Sequence, residues 1–127
     1  MELMKLLKYW TLPLETVSEG NLFEHWTKSN ARHKKQKKMI KHYLSELSCY
    51  ANKQITVKLI RISPRKLDKH DNLRMAFKFC VDEIANIIYP GLKAGRADDN
   101  ALIEWDYAQE KGKPKEKGMR VEVYERK

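Results

Sequence analysis

Residues 55–62 show the pattern of a strand that is covered on both faces. Apolar and polar side chains alternate in the first half, and Ile60 and Ile62 then occupy the opposite phase. Alternation with a period of two predicts a strand, and apolar residues in both phases indicate that both of its faces are buried. Pro64 ends the pattern, because a proline cannot donate to a sheet ladder. We therefore predict a central strand here, and the other elements must pack around it.

Two helices are predicted, one before and one after this strand. The first begins at Leu22 behind a capping Asn21, and its second half carries an apolar stripe: Ile40, Tyr43, Leu44, Leu47 and Ala51. The second opens at Asp71-Asn72 and ends at Pro90-Gly91, with an apolar face of Leu73, Phe77, Cys80, Val81, Ile84, Ile87 and Ile88. Such stripes predict that each helix packs one side against the sheet.

Three further strands complete a layered fold. One covers residues 3–12, one covers residues 101–109, and one closes the chain with alternating Met119, Val121 and Val123. The basic loop at residues 111–118 contains glycine and proline, and it predicts that the last two strands form a hairpin. The order strand-helix-strand-helix-strand-strand indicates an α/β or α+β domain, with a small mixed sheet packed against two helices.

Size and composition indicate a single domain over residues 1–127. The chain has a mass of 15.1 kDa and is 42% apolar, which is enough for one core without disulfides or structural metal. Its two cysteines, Cys49 and Cys80, form no C-x-x-C pair, so neither a disulfide scaffold nor a cysteine zinc site is expected. No apolar run approaches the roughly 18 residues of a membrane helix. We expect a cytoplasmic protein that neither spans a membrane nor is exported.

The positive charge of the chain is concentrated in the first helix. The 26 Lys and Arg against 17 Asp and Glu leave a net charge of +9, which predicts attraction to a polyanion such as nucleic acid. Seven cations and no carboxylate lie between Lys28 and Lys41. A solvated helix face and a phosphate-binding face both explain this run. The absence of alternating acids favours the second, because adjacent unpaired cations repel one another.

A few carboxylates stand out in so basic a chain, and they form three groups: Asp68 with Asp71, Asp82 alone, and Asp98 with Asp99. On a helix that starts near residue 72, Asp71, Lys78 and Asp82 fall on one stripe. Mg²⁺ prefers carboxylate oxygens, and a divalent ion promotes phosphodiester hydrolysis. A lysine beside such a centre can stabilise charge that develops in the transition state.

A purely structural interpretation of these residues stays open. Asp71 or Asn72 can simply cap the helix, and Asp98-Asp99 can belong to an ordinary turn. Lys78 and Asp82 are four residues apart, which is also the spacing of a common intrahelical ion pair. The residues alone therefore leave both a metal site and a structural role possible.

The order of these motifs resembles a known family. The relevant segments are residues 61–73 (RISPRKLDKHDNL), Ala76-Phe77-Lys78, Asp82, Asp98-Asp99 and residues 107–113 (YAQEKGK), with Leu12-Pro13-Leu14, Glu19-Gly20-Asn21 and His25-Trp26 earlier in the chain. Together they resemble the RusA-type Holliday junction resolvases, and most of all their phage and prophage branch. The resemblance covers most of the chain, and the ordered set is more specific than any one dipeptide.

This resemblance implies a small homodimeric endodeoxyribonuclease that cuts two strands of branched DNA symmetrically with Mg²⁺ or Mn²⁺. Asp71 matches the aspartate of the family's D-N pair, and Asp99 matches the second aspartate of D-D. Lys78 matches the helix lysine. Asp68 and Asp98 match further acidic positions that are expected to assist as metal ligands, and Asp82 matches a flanking one. The expected setting is the cytoplasm of a bacterial or phage-infected cell.

One spacing departs from the family pattern. The family has a single residue between its first two aspartates, whereas Lys69 and His70 both stand between Asp68 and Asp71. An extra residue turns a strand-like side chain to the opposite face. The alternative to a nuclease is accordingly a catalytically inactive DNA-binding module on the same scaffold. A basic protein that docks acidic protein partners is a third hypothesis, and it predicts no preference for branched DNA.

The cations expected to hold the DNA backbone lie in three parts of the chain. The first helix contributes Lys28, Arg32, Lys34, Lys35, Lys37 and Lys38, the connection after the central strand contributes Arg65, Lys66 and Lys69, and the basic loop contributes Lys111, Lys113 and Lys115. Neutralising phosphates with these groups predicts affinity that falls steeply with salt.

Overall fold

Four strands and two long helices follow one another in the predicted order. The structure is a computed structural model that describes residues 5–14, 26–64, 72–90 and 102–126. Its elements are β1 (Lys5–Leu12), α1 (Trp26–Leu44) with a 3-10 helix (Ser45–Tyr50) directly after it, β2 (Ile55–Ser63), α2 (Asn72–Ile88), β3 (Ile103–Lys111) and β4 (Gly118–Glu125). The predicted α+β fold is confirmed. The predicted cap at Asn21 and helix start at Leu22 lie outside the described residues.

The strands form one mixed sheet in the order β1-β4-β2-β3. The predicted central strand β2 is an interior strand, with β4 antiparallel on one side and β3 parallel on the other. Within β2 only Lys58 and Ile62 are not fully buried. The parallel pair β2 and β3 is connected through α2, as parallel neighbours require a crossover.

The predicted hairpin between the last two strands is wrong. Lys111 at the end of β3 is paired with Ser63, and Gly118 at the start of β4 is paired with Ile62, so the two strands flank β2 instead of pairing with each other. The connection passes over the end of β2, where the backbone N–H of Gly112 donates to the carbonyl of Ser63 at 2.9 Å. The glycines and proline of this loop predict a reversal of direction, but not which strand lies between its ends.

Both helices pack on the same core as one face of the sheet. The buried cluster includes Val57 and Leu59 from β2, Ile40 and Leu44 from α1, and Phe77 from α2. These burials confirm the predicted core positions of Ile40, Leu44 and Phe77, each of which is fully enclosed.

Tyr43 is the exception in the predicted stripe of α1. Its side chain is 39% exposed and meets the ring of His42 edge to face, with the ring centroids 5.0 Å apart. At about 100° per residue, Tyr43 lies roughly 60° around the helix from Ile40, on the flank of the buried stripe. The assignment of Tyr43 to the core is therefore wrong.

The other face of the sheet carries an ion-pair network that crosses β2. The guanidinium of Arg120 on β4 contacts Glu122 on the same strand and Glu110 on β3. Because β2 lies between those strands, the side chains bridge over it, and Ile60 beneath them is only 2% exposed. The hydrogen bond from Arg120 lowers the pKa of Glu110, but half of the Glu110 side chain is exposed, so this pair contributes little to stability.

Tyr124 in this network stays protonated to unusually high pH. Its hydroxyl donates to Glu122 Oε1 at 2.7 Å, and this bond together with burial raises the pKa of Tyr124 to about 12. Because the pKa is raised in the folded state, the hydrogen bond of Tyr124 stabilises the fold fully below the ordinary tyrosine pKa of about 10, and this stabilisation is lost as pH rises towards 12.

In an ultraviolet titration of the tyrosines, we expect the ionisation step at the highest pH to disappear in Tyr124→Phe. Tyr9, which is exposed, provides the control, because Tyr9→Phe should leave that step in place. If the step at the highest pH persists in Tyr124→Phe, Tyr124 is not the tyrosine with the raised pKa.

Candidate nucleic-acid interface

Three strands end, and the fourth begins, at one edge of the sheet. Leu12 at the end of β1 is paired with Met119 near the start of β4, and the ends of β2 and β3 are paired with each other at Ser63 and Lys111. We call this the carboxyl edge. The loop from β3 to β4 and residues 13–14 lie at this edge, and the segment 65–71, which leads from β2 to α2, is attached to it.

The exposed side of α1 is a continuous lysine surface. Its cations Lys34, Lys35, Lys37, Lys38 and Lys41 are all exposed. They line a shallow depression of about 470 Å³. Adjacent ammonium groups with no carboxylate between them repel one another, so a bound polyanion would relieve that repulsion. Lys28 belongs to the same helix, but its side chain lies outside the described part of the structure.

A second groove joins α1 to the carboxyl edge. It has a volume of about 420 Å³ and is lined by Pro13, Leu14, Ala31, Arg32, Lys35, Met39 and Lys117. Arg32 and Lys35 come from α1, whereas Lys117 comes from the loop before β4, so cations far apart in the sequence meet here. Its floor is apolar, since Leu14 is buried and Met39 packs against the core. Long cationic side chains above such a floor can present their charged ends to a phosphate backbone.

Lys117 is a functional candidate that the sequence analysis missed. The predicted residues of the basic loop, Lys111, Lys113 and Lys115, are exposed, but only Lys117 lines the groove beside α1. The signal was present, because Lys117 lies in the same lysine-rich loop. Which lysine of the loop turns towards α1 depends on the turn itself, where Lys115 has a positive φ of 68°.

Lys78, the predicted charge-stabilising residue, is exposed on α2. Asp82 lies one helical turn further along and is half-buried. Their placement on one side of α2 agrees with the predicted stripe. Asp71, which completes the stripe, lies outside the described residues.

The four predicted metal ligands also lie outside the described residues. Asp68 and Asp71, with the predicted DNA contacts Arg65, Lys66 and Lys69, belong to the segment 65–71; Asp98 and Asp99 belong to the segment 91–101. Within residues 5–14, 26–64, 72–90 and 102–126, no group of three or more His, Cys, Asp or Glu side chains is placed to hold a metal ion.

The neighbouring elements determine where these two segments are attached. Segment 65–71 connects the end of β2 to the start of α2, at the carboxyl edge. Segment 91–101 connects the end of α2 to the start of β3, where Ile103 is paired with Ile55, and this is the opposite edge of the sheet. A metal centre shared by all four aspartates therefore requires the second segment to extend back towards the start of α2.

No protein-family model matches this chain, and no curated protein sequence matches it. Among the helices that the structure describes, none is both long and apolar enough to cross a membrane.

Proposed function

We propose that this protein is a metal-dependent, structure-selective endodeoxyribonuclease that cleaves branched DNA, as the resemblance to RusA-type resolvases implies. One observation supports the proposal: through Lys35 the lysine surface of α1 adjoins the groove at the carboxyl edge, where the loop before β4 lies and segment 65–71 is attached. Such a cationic surface supports the proposal, because a DNA-cleaving enzyme with a carboxylate site needs cations that overcome the repulsion between carboxylates and phosphates.

The dimensions of α1 suit a DNA backbone. The lysines from Lys34 to Lys41 span about 10 Å along the helix at about 1.5 Å per residue. Each strand of duplex DNA carries a phosphate about every 3.4 Å along its axis. The lysine surface is therefore long enough to contact more than one phosphate of a strand, and the groove with Arg32 and Lys117 extends it towards the carboxyl edge.

The donor set fits Mg²⁺ or Mn²⁺, since Asp68, Asp71, Asp98 and Asp99 offer only oxygen ligands. Such an ion, when bound, polarises the phosphoryl oxygen and lowers the pKa of an attacking water. In this proposal Asp71 and Asp99 are the principal ligands, with Asp68 and Asp98 assisting. The proposal assigns Lys78, which is exposed on α2, to stabilising charge on the phosphate during cleavage.

Two symmetric cuts call for two active sites, so the proposal includes a homodimer. β1 is an edge strand of the sheet and exposes Leu6, Leu7 and Tyr9. An exposed apolar edge strand is a suitable surface for a second copy of the chain. The proposed setting of this activity is the cytoplasm of a bacterial or phage-infected cell.

The direct test is cleavage of a labelled four-way DNA junction beside a linear duplex of the same arm sequence. We expect paired nicks in the junction alone, in Mg²⁺ or Mn²⁺ and not in EDTA. Tight, salt-sensitive binding without cuts in either metal would overturn the nuclease proposal in favour of the inactive DNA-binding module. Equal, weak binding to both DNAs would argue against both.

Lys35 is the residue that joins the lysine surface of α1 to the groove at the carboxyl edge. We expect Lys35→Ala to weaken junction binding and to reduce the slope of log K against log salt by about 1, because one phosphate contact is lost. The matched control is Lys53→Ala, since Lys53 is also exposed but lies beside Tyr50 at the opposite edge of the sheet. Equal changes of slope in the two variants would show that Lys35 acts only through net charge.

A further inference from the structure

A groove between the two helices carries aromatic rings that the proposed cleavage does not use. It has a volume of about 620 Å³, and its walls include His33, Lys34 and Lys37 from α1 and Phe79 and Glu83 from α2. It shares Lys34 and Lys37 with the lysine surface, so it opens beside the proposed path of the DNA backbone.

The rings of His33 and Phe79 stack on each other across this groove. Their centroids are 4.2 Å apart and their planes differ by 10°. Both side chains are half-buried, whereas Phe77, two residues earlier in α2, is fully enclosed in the core. At about 100° per residue, Phe79 lies on the side of α2 away from Phe77. The ring of Phe79 thus lies near the surface, stacked on His33, in the same groove as Lys34 and Lys37.

An aromatic platform beside lysines has the two components of a site for an unpaired nucleotide. Bases stack on aromatic side chains, including histidine, while cations hold the backbone, and neither contact needs a particular base. Glu83 on the other wall repels phosphate but can accept a hydrogen bond from an exocyclic amino group. The base is therefore expected over the rings, and its phosphate near Lys34 and Lys37.

We infer that this groove binds one unpaired nucleotide of branched DNA, with the base stacked on the His33–Phe79 pair and the phosphate held by Lys34 and Lys37. The inference rests on the proposed function and deepens it, because it gives a physical origin for selectivity. A nucleotide at a branch point or bulge costs little to extrude, whereas one in a perfect duplex must first be unstacked and unpaired.

The test uses a duplex with one unpaired 2-aminopurine nucleotide and the same duplex without it. We expect the wild-type protein to bind the bulged duplex about tenfold more tightly, a ratio that corresponds to about 1.4 kcal/mol. Phe79→Leu should abolish this preference and the accompanying change in 2-aminopurine fluorescence, while Phe79→Tyr should preserve both. Tyr43→Leu is the matched control, because Tyr43 is a surface aromatic residue of α1 that also contacts a histidine but lies outside this groove.

The possible results distinguish a failure of the nucleotide site from a failure of the proposed nuclease function. If Phe79→Leu retains the preference for the bulge, or weakens binding to both duplexes equally, the subsite is overturned while junction cleavage by the wild type still stands. If the wild type binds neither DNA, the proposed function fails and the subsite with it. Should Phe79→Leu unfold, as thermal melting would show, His33→Leu tests the same platform from α1.

Discussion

Replacing Asp71 by Asn is expected to reduce cleavage of a four-way junction by more than about a hundredfold and to leave junction binding intact or stronger. The carboxamide has nearly the same shape as the carboxylate but lacks its charge, so a divalent cation loses an anionic ligand. DNA phosphates are repelled less at the same time. Separate single-turnover cleavage and equilibrium binding measurements resolve the two effects.

Asp99→Asn is expected to behave in the same way, because the proposal assigns both aspartates to one centre. Asp106→Asn is the matched control: Asp106 is an exposed aspartate of β3 whose carboxylate accepts a hydrogen bond from the backbone of Tyr107 at 2.9 Å. Cleavage at the wild-type rate by Asp71→Asn would contradict the proposed active site. Loss in Asp71→Asn alone would restrict that site to the segment 65–71 at the carboxyl edge.

Replacing Phe77 by Ala is expected to destabilise the protein by about 3–5 kcal/mol. Phe77 is fully buried, and its ring packs almost parallel to that of Tyr107, with the centroids 5.7 Å apart. Removing it leaves a cavity between α2 and β3, because neighbouring elements relax only partly into the space. Domains of this size are stable by about 5–15 kcal/mol in total, so the variant should be only marginally folded.

Urea denaturation measures this loss, and Phe79 provides the control in the same helix. Phe79→Ala removes the same atoms from a half-buried site, so its cost should be clearly smaller than that of Phe77→Ala. Equal losses of unfolding free energy in the two variants would contradict the described orientation of α2.

Local periodicity determined which segments form which elements. The alternation in residues 55–62 predicted β2, and the helical spacing of apolar residues predicted α2 with its buried Phe77. In β3, Trp105 and Tyr107 are two residues apart, as same-side strand residues are, and both pack against this core. Such features follow from the sequence because backbone geometry sets the period of side chains within each element.

The pairing of the strands was decided by tertiary structure. The loop at residues 111–118 has the composition of a hairpin turn, yet β2 lies between the strands that it connects. An apolar strand such as β2 is stabilised by a hydrogen-bonded neighbour on each side, and burying it outweighs the local preference for a hairpin. Turn composition contains no information about that competition.

For the candidate site too, the sequence identified some residues and the tertiary structure added others. The sequence identified the cations of α1 and of the basic loop from charge alone, and it identified Asp68, Asp71, Asp98 and Asp99 through an ordered resemblance; these aspartates stay a prediction. Only the tertiary structure brought Lys117 to the groove of Arg32 and Lys35, and His33 onto Phe79. Residue type and local spacing can be read along the chain, whereas contacts between residues 46 to 85 positions apart depend on how the whole core packs.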